Sequence, residues 1–155
     1  MIYLVTHGKR EGGPNPRMTA DGLFQIERLR ELLPKNTPLV VVGTGKRFLQ
    51  VYGVLQPSLN GAKVEYSPFC GSADGMEPDG KTIPMASGEL TEHDSYLGLV
   101  RCKAFDAWKF LKDLPNGTLL CSGGELMMAL GLEGVNEKGQ LFELDPATQT
   151  GRKIS

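Results

Sequence analysis

The sequence predicts an α/β domain with three layers, in which a mainly parallel central sheet carries helices on both faces. Short apolar runs rich in β-branched residues, at 2–6, 39–42 and 118–121, are typical of strands that are buried on both faces. Segments with helical spacing of apolar residues lie between these runs, and alternating strands and helices favour a parallel sheet. Two further strand-like segments, 140–144 and 152–154, flank a turn-rich stretch and predict a C-terminal hairpin at an antiparallel edge.

The composition is that of an ordinary globular domain. With 155 residues the chain can close one hydrophobic core, so residues 1–155 are expected to form a single domain. The net charge of −1 argues against a general nucleic-acid binder, and the sequence contains neither a membrane-spanning run nor a recognisable secretory signal. The three cysteines, Cys70, Cys102 and Cys121, have no metal-ligand spacing. We therefore expect a cytoplasmic protein with no cofactor, no metal, and neither nucleic acid nor membrane as a partner.

The first half of the chain predicts two helices that follow buried strands. Thr19 is placed to cap the first helix and Pro34 to end it, and four apolar residues share one helix face: Leu23, Ile26, Leu29 and Leu33. The glycine-rich turn 43–45 leads from the second strand into a helix that extends to about Leu55. A third strand is expected at 63–66.

The second half combines one irregular segment with a regular α/β pattern. Residues 67–94 lack a clean period and are rich in glycine, proline and acidic residues, which predicts a long loop or flap over the site. Residues 96–114 predict the longest helix, and the turn at 115–117 leads into the next strand. The small residues 122–124 then lead to a helix over about 125–130.

Three strand ends share one design, in which an apolar strand is followed by a small or glycine-rich turn and then by polar residues. They are Thr-His-Gly at 6–8, Gly-Thr-Gly-Lys-Arg at 43–47 and Ser-Gly-Gly at 122–124. Ligands of such sheets bind outside the carboxyl ends of the strands, and the N–H groups of a following helix favour an anion. The first 47 residues carry eight Lys and Arg against four Asp and Glu. These features predict an anion pocket that contains His7, with phosphate as the commonest ligand of that kind.

More specific motifs are excluded by their spacing. The stretch 43–47 lacks the G-x-x-x-x-G-K-[ST] pattern of a nucleotide P-loop, and Ser122 lacks the first glycine of a G-x-S-x-G nucleophile elbow. No cysteine is followed six positions later by arginine, which excludes the cysteine-phosphatase loop.

Several short stretches also occur in the order that is typical of one family. After Thr-His-Gly come RMTADG before a helix that contains Gln25, KRFLQ at a helix start, LLCSGG at a strand end, and FELDP in the last hairpin. In these motifs the sequence resembles the histidine phosphatase superfamily (phosphoglycerate mutase-like). That family has Arg-His-Gly, Leu-Thr-x-x-Gly-x-x-Gln, Arg-Ala-x-Gln-Thr and Val-Ser-His-Gly-Gly at the corresponding places. The short length and the approach to the first helix look most like the compact phosphohistidine-phosphatase branch.

The resemblance implies a role for each matching residue. His7 would be the nucleophile that carries the phosphoryl group, because a neutral imidazole nitrogen is a competent nucleophile near pH 7. The phosphate-binding set would be Thr6, Arg10, Arg47, Ser122 and Gly123. The family takes its proton donor from a loop in the region of 89–94, so Glu92 and His93 are candidates for the general acid, with Glu89 and Asp94 as weaker ones.

Two of these positions depart from the family pattern. Thr6 stands where the family has arginine, and Ser122 stands where it has its second pocket histidine. Loss of one electrostatic donor typically costs roughly 100–1,000-fold in rate. Lys9 or Arg10 could compensate.

Two hypotheses therefore remain open. The first is a divergent phosphatase that hydrolyses a phosphomonoester or phosphohistidine through a phosphohistidine intermediate on His7. The second is a catalytically weak or inactive pseudoenzyme that binds a phosphorylated small molecule or phosphoprotein; Thr6 and Ser122 favour it. A plainer interpretation also stands, in which His7 is an ordinary hydrogen-bonded residue at a strand end and Arg47 lies on a helix surface.

Overall fold

The computed structural model describes residues 1–12, 16–71, 106–132 and 138–155, and a six-stranded mixed sheet lies at its centre. The strands, numbered in chain order, are β1 (Ile2–Thr6), β2 (Leu39–Val42), β3 (Lys63–Tyr66), β4 (Leu119–Ser122), β5 (Leu141–Asp145) and β6 (Thr150–Lys153). They lie across the sheet in the order β3-β2-β4-β1-β5-β6. Pairs among β1 to β4 are parallel, whereas β5 and β6 form an antiparallel edge, as the sequence predicted.

The α-helices among the described residues are α1 (Ala20–Glu27), α2 (Lys46–Leu55), α3 (Ala107–Lys112) and α4 (Gly124–Ala129). The predicted cap of α1 is present, because Oγ1 of Thr19 accepts a hydrogen bond from Gly22 N at 3.1 Å. This helix is shorter than its apolar spacing predicted. It ends at Glu27, and a 3₁₀ turn over Arg30–Leu32 follows, which is a common way for a helix to tighten at its C-terminal end.

Two predicted segments are described only in part. Helix α3 covers the end of the predicted helix 96–114, and residues 96–105 lie outside the described residues. Of the predicted flap 67–94, the structure describes 67–71, which include a 3₁₀ turn at Pro68–Cys70. In the part of the chain that the structure describes, no helix has the length and apolar character to cross a bilayer.

The sheet register brings three strand ends to one edge. Strand β1 lies beside β4 in parallel, with Thr6 opposite Ser122, and β2 lies on the other side of β4, with Val42 opposite Cys121. Strand β5 runs antiparallel to β1, so its first residues lie at the same edge as the last residues of β1. This edge is therefore where a ligand of the sheet would bind.

Alternate strand residues face two separate cores. On one face, residues such as Leu4 and Leu120 pack in a cluster with apolar residues of α3 and α4. On the other face, residues such as Val5 and Cys121 pack in a cluster with residues of α1 and α2. Because both faces of the inner sheet are covered, the parallel strands β1, β2 and β4 are mostly apolar, whereas the edge strand β3 is largely exposed, and the three-layer architecture that the sequence predicted is confirmed.

Candidate active site at the carboxyl edge

His7 lies immediately after β1, and hydrogen bonds fix its backbone on both sides. Its N–H donates to Ser122 O at 3.0 Å, and its carbonyl accepts from Gly139 N at 3.0 Å. The residue is 9% exposed, and its Nδ1 lies 2.8 Å from the carbonyl oxygen of Gly8. Because a carbonyl oxygen can only accept, this contact places a proton on Nδ1 and leaves the lone pair of the neutral ring on Nε2.

The surroundings of His7 keep the ring neutral. Burial lowers its pKa from 6.5 to about 4; the hydrogen bond to Gly8 opposes this shift, whereas the positive charges of Arg47, Lys138 and Arg10 add to it. At neutral pH the imidazole is therefore unprotonated. A buried, oriented and neutral imidazole with a lone pair on Nε2 is chemically suited to nucleophilic attack.

Arg47 and His7 meet around the ring of Phe48. The guanidinium carbon Cζ of Arg47 lies 4.3 Å from the centroid of the Phe48 ring. The same ring contacts the His7 imidazole edge to face, with centroids 5.6 Å apart and an interplanar angle of 76°. Arg47 is half-buried, whereas Lys46 is exposed. Phe48 thus contacts two predicted site residues. This role could not be predicted from the sequence, because an aromatic residue in an amphipathic helix is equally typical of ordinary core packing.

Two further cations act on His7 from the chain segments beside it. Arg10 lies in the loop after β1, where it forms an isolated bridge with Met18. Lys138 lies just before β5, next to the residue whose N–H donates to the His7 carbonyl. No motif of the sequence indicates Lys138 as a site residue. The predicted antiparallel hairpin could have indicated this lysine, because the start of an antiparallel strand beside β1 lies at the edge where β1 ends.

The hydroxyl groups of Thr6 and Ser122 both contact the backbone. Oγ1 of Thr6 accepts a hydrogen bond from Gln140 N at 3.0 Å, and the residue is 2% exposed. Oγ of Ser122 donates to the carbonyl oxygen of Cys70 at 2.6 Å, and Ser122 is fully buried. Ser122 therefore fastens the segment 67–71 to the sheet near its end, and its hydroxyl proton is committed to that contact.

The turn before α2 also uses its donors internally. Thr44 N donates to the carbonyl oxygen of Gly71 at 2.6 Å, and Gly45 N does so at 3.4 Å. The glycine-rich sequence of this turn before a helix predicts backbone N–H groups that are offered to an anion. In the structure these two groups hold the segment 67–71 instead, so the charge of Arg47 is the main contribution of α2 to the site.

The pocket beside His7 is small, with a volume of about 30 Å³. Its lining residues follow the three strand ends or lie at the end of the segment 67–71: His7, Arg47, Phe48, Cys70, Gly71, Gly123, Gly124 and Leu126. Gly123 is required here for space, since a Cβ at this position would lie 3.0 Å from Cδ2 and 3.4 Å from Nε2 of His7. Of the predicted set, His7, Arg47 and Gly123 line the pocket, and Arg10 lies close enough to act on His7 by its charge.

The predicted general acids are not described. Glu89, Glu92, His93 and Asp94 lie outside the described residues, so their assignment stays a prediction. Within the described ranges, no group of three or more His, Cys, Asp or Glu residues could hold a metal ion.

Comparison with solved structures identifies the fold. No family model matches the sequence, and no curated protein matches it. The protein TTHB049 from Thermus thermophilus is similar in structure, with a TM-score of 0.60 and 18% identity over 93% of this chain and 92% of that protein. A phosphoglycerate mutase from the same organism has a TM-score of 0.57 and 19% identity, with the same coverage. A proposed phosphohistidine phosphatase, SixA from Agrobacterium tumefaciens, has a TM-score of 0.57 and 13% identity over 99% and 95% of the two chains.

These neighbours define the class of fold. The chain has a histidine phosphatase-like α/β fold, which the motifs of the sequence predicted. At identities below 20% the similarity concerns the fold, and any activity has to be argued from this chain's own residues.

Proposed function

We propose that this chain is a divergent, slow phosphatase that hydrolyses a phosphomonoester or phosphohistidine through a phosphohistidine intermediate on His7. One observation carries the proposal. A buried imidazole with a pKa of about 4 is anchored through Nδ1 to Gly8 O, while its Nε2 lies on the side of Gly123 in a pocket that Arg47 also lines. A neutral nucleophile beside fixed positive charge suits attack on phosphorus, because the charge on the phosphoryl oxygens needs stabilisation.

The proposed reaction has two steps. The Nε2 lone pair attacks phosphorus, and the bond from phosphorus to the leaving atom breaks. That atom, oxygen in a phosphomonoester or nitrogen in a phosphohistidine, keeps the electron pair and takes a proton from a general acid. Glu92 and His93 are the proposed donors. Water then attacks the phosphohistidine and gives up a proton to the same group, inorganic phosphate leaves, and Nε2 regains its lone pair.

A second candidate function is binding of a phosphorylated small molecule or phosphoprotein without turnover. The contact from Ser122 Oγ to Cys70 O favours it, because this hydroxyl is committed to the backbone and carries no charge. The hydroxyl of Thr6 likewise contacts Gln140 N. The family pattern has an arginine and a histidine at these two positions, and both can carry positive charge. This chain has two hydroxyl groups there, and both form hydrogen bonds with its own backbone.

Turnover and binding separate the two functions. We expect wild-type protein to hydrolyse p-nitrophenyl phosphate slowly, and His7→Ala to reduce the rate to background. Calorimetric titration with inorganic phosphate should show that Arg47→Ala weakens binding by roughly tenfold, since a charge-assisted hydrogen bond contributes about 1.5–3 kcal/mol. Arg28→Ala is the matched control, because Arg28 is exposed at the end of α1.

Each outcome has a distinct meaning. Phosphate binding without turnover supports the second candidate function. Turnover that survives His7→Ala rejects the proposed nucleophile, and a wild-type protein with neither turnover nor phosphate binding rejects both functions.

A further inference from the structure

The segment 138–140 lies in a fixed position beside His7. Gly139 N donates to His7 O at 3.0 Å, Gln140 N donates to Thr6 Oγ1 at 3.0 Å, and Thr6 N donates to Gln140 O at 2.9 Å. Gly139 has a φ of +67°, and a Cβ at this position would lie 2.6 Å from Cβ of Gln25. A left-handed glycine against α1 and three backbone contacts thus determine where the chain places Lys138.

Among the described residues, the charges that act on the pKa of His7 are all positive. Arg47, Lys138 and Arg10 all lower the pKa of His7, and partial burial lowers the pKa of Lys138, with Arg10 and Arg47 lowering it further. None of the ion pairs found among the described residues includes Arg10 or Lys138. Like charges gathered around a neutral imidazole repel one another, and a bound anion relieves that repulsion.

Lys138 provides a positive charge near a pocket in which the residues at the ends of β1 and β4 carry none. The strand ends of β1 and β4 contribute the hydroxyls of Thr6 and Ser122, both in contact with the backbone. Arg47 is the cation from α2, and Lys138 lies in the segment just before β5. A phosphoryl group at Nε2 would therefore lie in the positive field of two different elements.

We propose that Lys138 is a ligand-binding residue of this site, which supplies from the start of β5 a positive charge to the oxygens of the bound phosphoryl group. This assignment rests on the proposed function. It makes Lys138, together with Arg10, the source of the charge that positions 6 and 122 do not provide.

The test measures phosphate affinity in three variants of the full chain. Lys138→Met removes the charge and should weaken binding of inorganic phosphate by roughly tenfold or more, because one charge-assisted contact is lost. Lys138→Arg keeps the charge and should retain most of the affinity. Lys35→Met is the matched control; Lys35 is exposed and precedes β2, at the opposite edge of the sheet, so its affinity should stay within about twofold of wild type.

A second measurement reports on position without any ligand. NMR titration of the His7 ring should show a higher pKa in Lys138→Met than in wild type, and an unchanged pKa in Lys35→Met, because, of these two lysines, Lys138 alone acts on the ring by its charge. If wild type binds phosphate and Lys138→Met binds it equally well, the assignment of Lys138 is wrong while the proposed function stands. If wild type shows neither phosphate binding nor turnover, the proposed function is wrong and the assignment of Lys138 is wrong with it.

Discussion

Strands β1 and β4 are parallel neighbours, and both end at the same edge of the sheet, where Thr6 lies opposite Ser122. After β1 comes a histidine whose Nδ1 is anchored to the backbone and whose Nε2 keeps its lone pair. At the end of β4, the side chain of Ser122 is fully buried and donates to Cys70 O. The ends of these two neighbouring strands thus differ, since the residue after β1 presents a ring nitrogen with its lone pair and the last residue of β4 holds a neighbouring segment in place. Substitutions at the two ends should accordingly change different properties.

The largest effect is expected at the end of β1. His7→Asn retains a side-chain donor for Gly8 O but removes Nε2, so turnover of p-nitrophenyl phosphate should fall by roughly 1,000-fold or more. The free energy of unfolding at pH 7 should change by less than about 1 kcal/mol, because the anchoring contact is kept. The two measurements are steady-state kinetics and urea denaturation. A variant that unfolds readily would mean that His7 is a structural residue.

The pH dependence of stability should reveal the same histidine. Its pKa is 6.5 when unfolded and about 4 when folded, so between these values the unfolded chain binds the extra proton. The contribution of His7 to stability should therefore be constant above about pH 6.5 and fall as pH decreases towards 4, by roughly 3–4 kcal/mol at most. Urea denaturation across this range, on wild type and His7→Asn, checks it. An equal slope in the variant would assign the effect to other groups.

A substitution at the end of β4 should lower the free energy of unfolding and leave the affinity for phosphate unchanged. Ser122→Ala leaves the buried carbonyl of Cys70 without its hydroxyl donor, which should cost about 1–3 kcal/mol of unfolding free energy. Phosphate affinity should stay within about twofold of wild type, because the hydroxyl is committed to the backbone. Calorimetry and urea denaturation on the same preparation test both statements. A large loss of affinity at unchanged stability would show that the hydroxyl contacts the ligand.

The smallest expected effect is at Gly123, the residue that follows β4. A methyl group at Gly123 would crowd His7 Cδ2 and Nε2, so Gly123→Ala should weaken phosphate binding by roughly tenfold. Gly123 has an extended backbone with φ −160°, so the substitution introduces no backbone strain. Gly53→Ala is the control, since nothing lies within 4 Å of its added Cβ. Wild-type affinity in Gly123→Ala would indicate that the ligand does not approach His7 from this side.

Most of the sheet could be predicted because the inner strands β1, β2 and β4 are short apolar runs, and such runs are specified locally. The bounds of β2 and β3 agree with the predicted segments, and the cap of α1 at Thr19 followed from residue type and spacing. The C-terminal hairpin was also visible from its turn residues. The early end of α1 was not predicted, since apolar spacing continues beyond it through the 3₁₀ turn.

The site was less predictable than the sheet, because its contacts join distant parts of the chain. The motifs placed His7, Arg47 and Gly123 at one edge, and all three line the pocket. The contact between Ser122 and Cys70 spans 52 positions, and no pattern near either residue indicates it. Lys138 follows no motif, and its position depends on the register between β5 and β1.

The pairing of β1 with β5 has a consequence for how the protein matures in the cell. Gln140 N and Thr6 Oγ1 are joined across 134 positions, so the two strands leave the ribosome at very different times. Until β5 emerges, β1 has β4 at most as a neighbour, and non-local pairing of this kind is slow and exposed to misassembly. A chain stalled before residue 138 can contain His7, Arg47 and Gly123 but not the segment beside them. The nascent protein therefore acquires a complete site only after most of it has been translated.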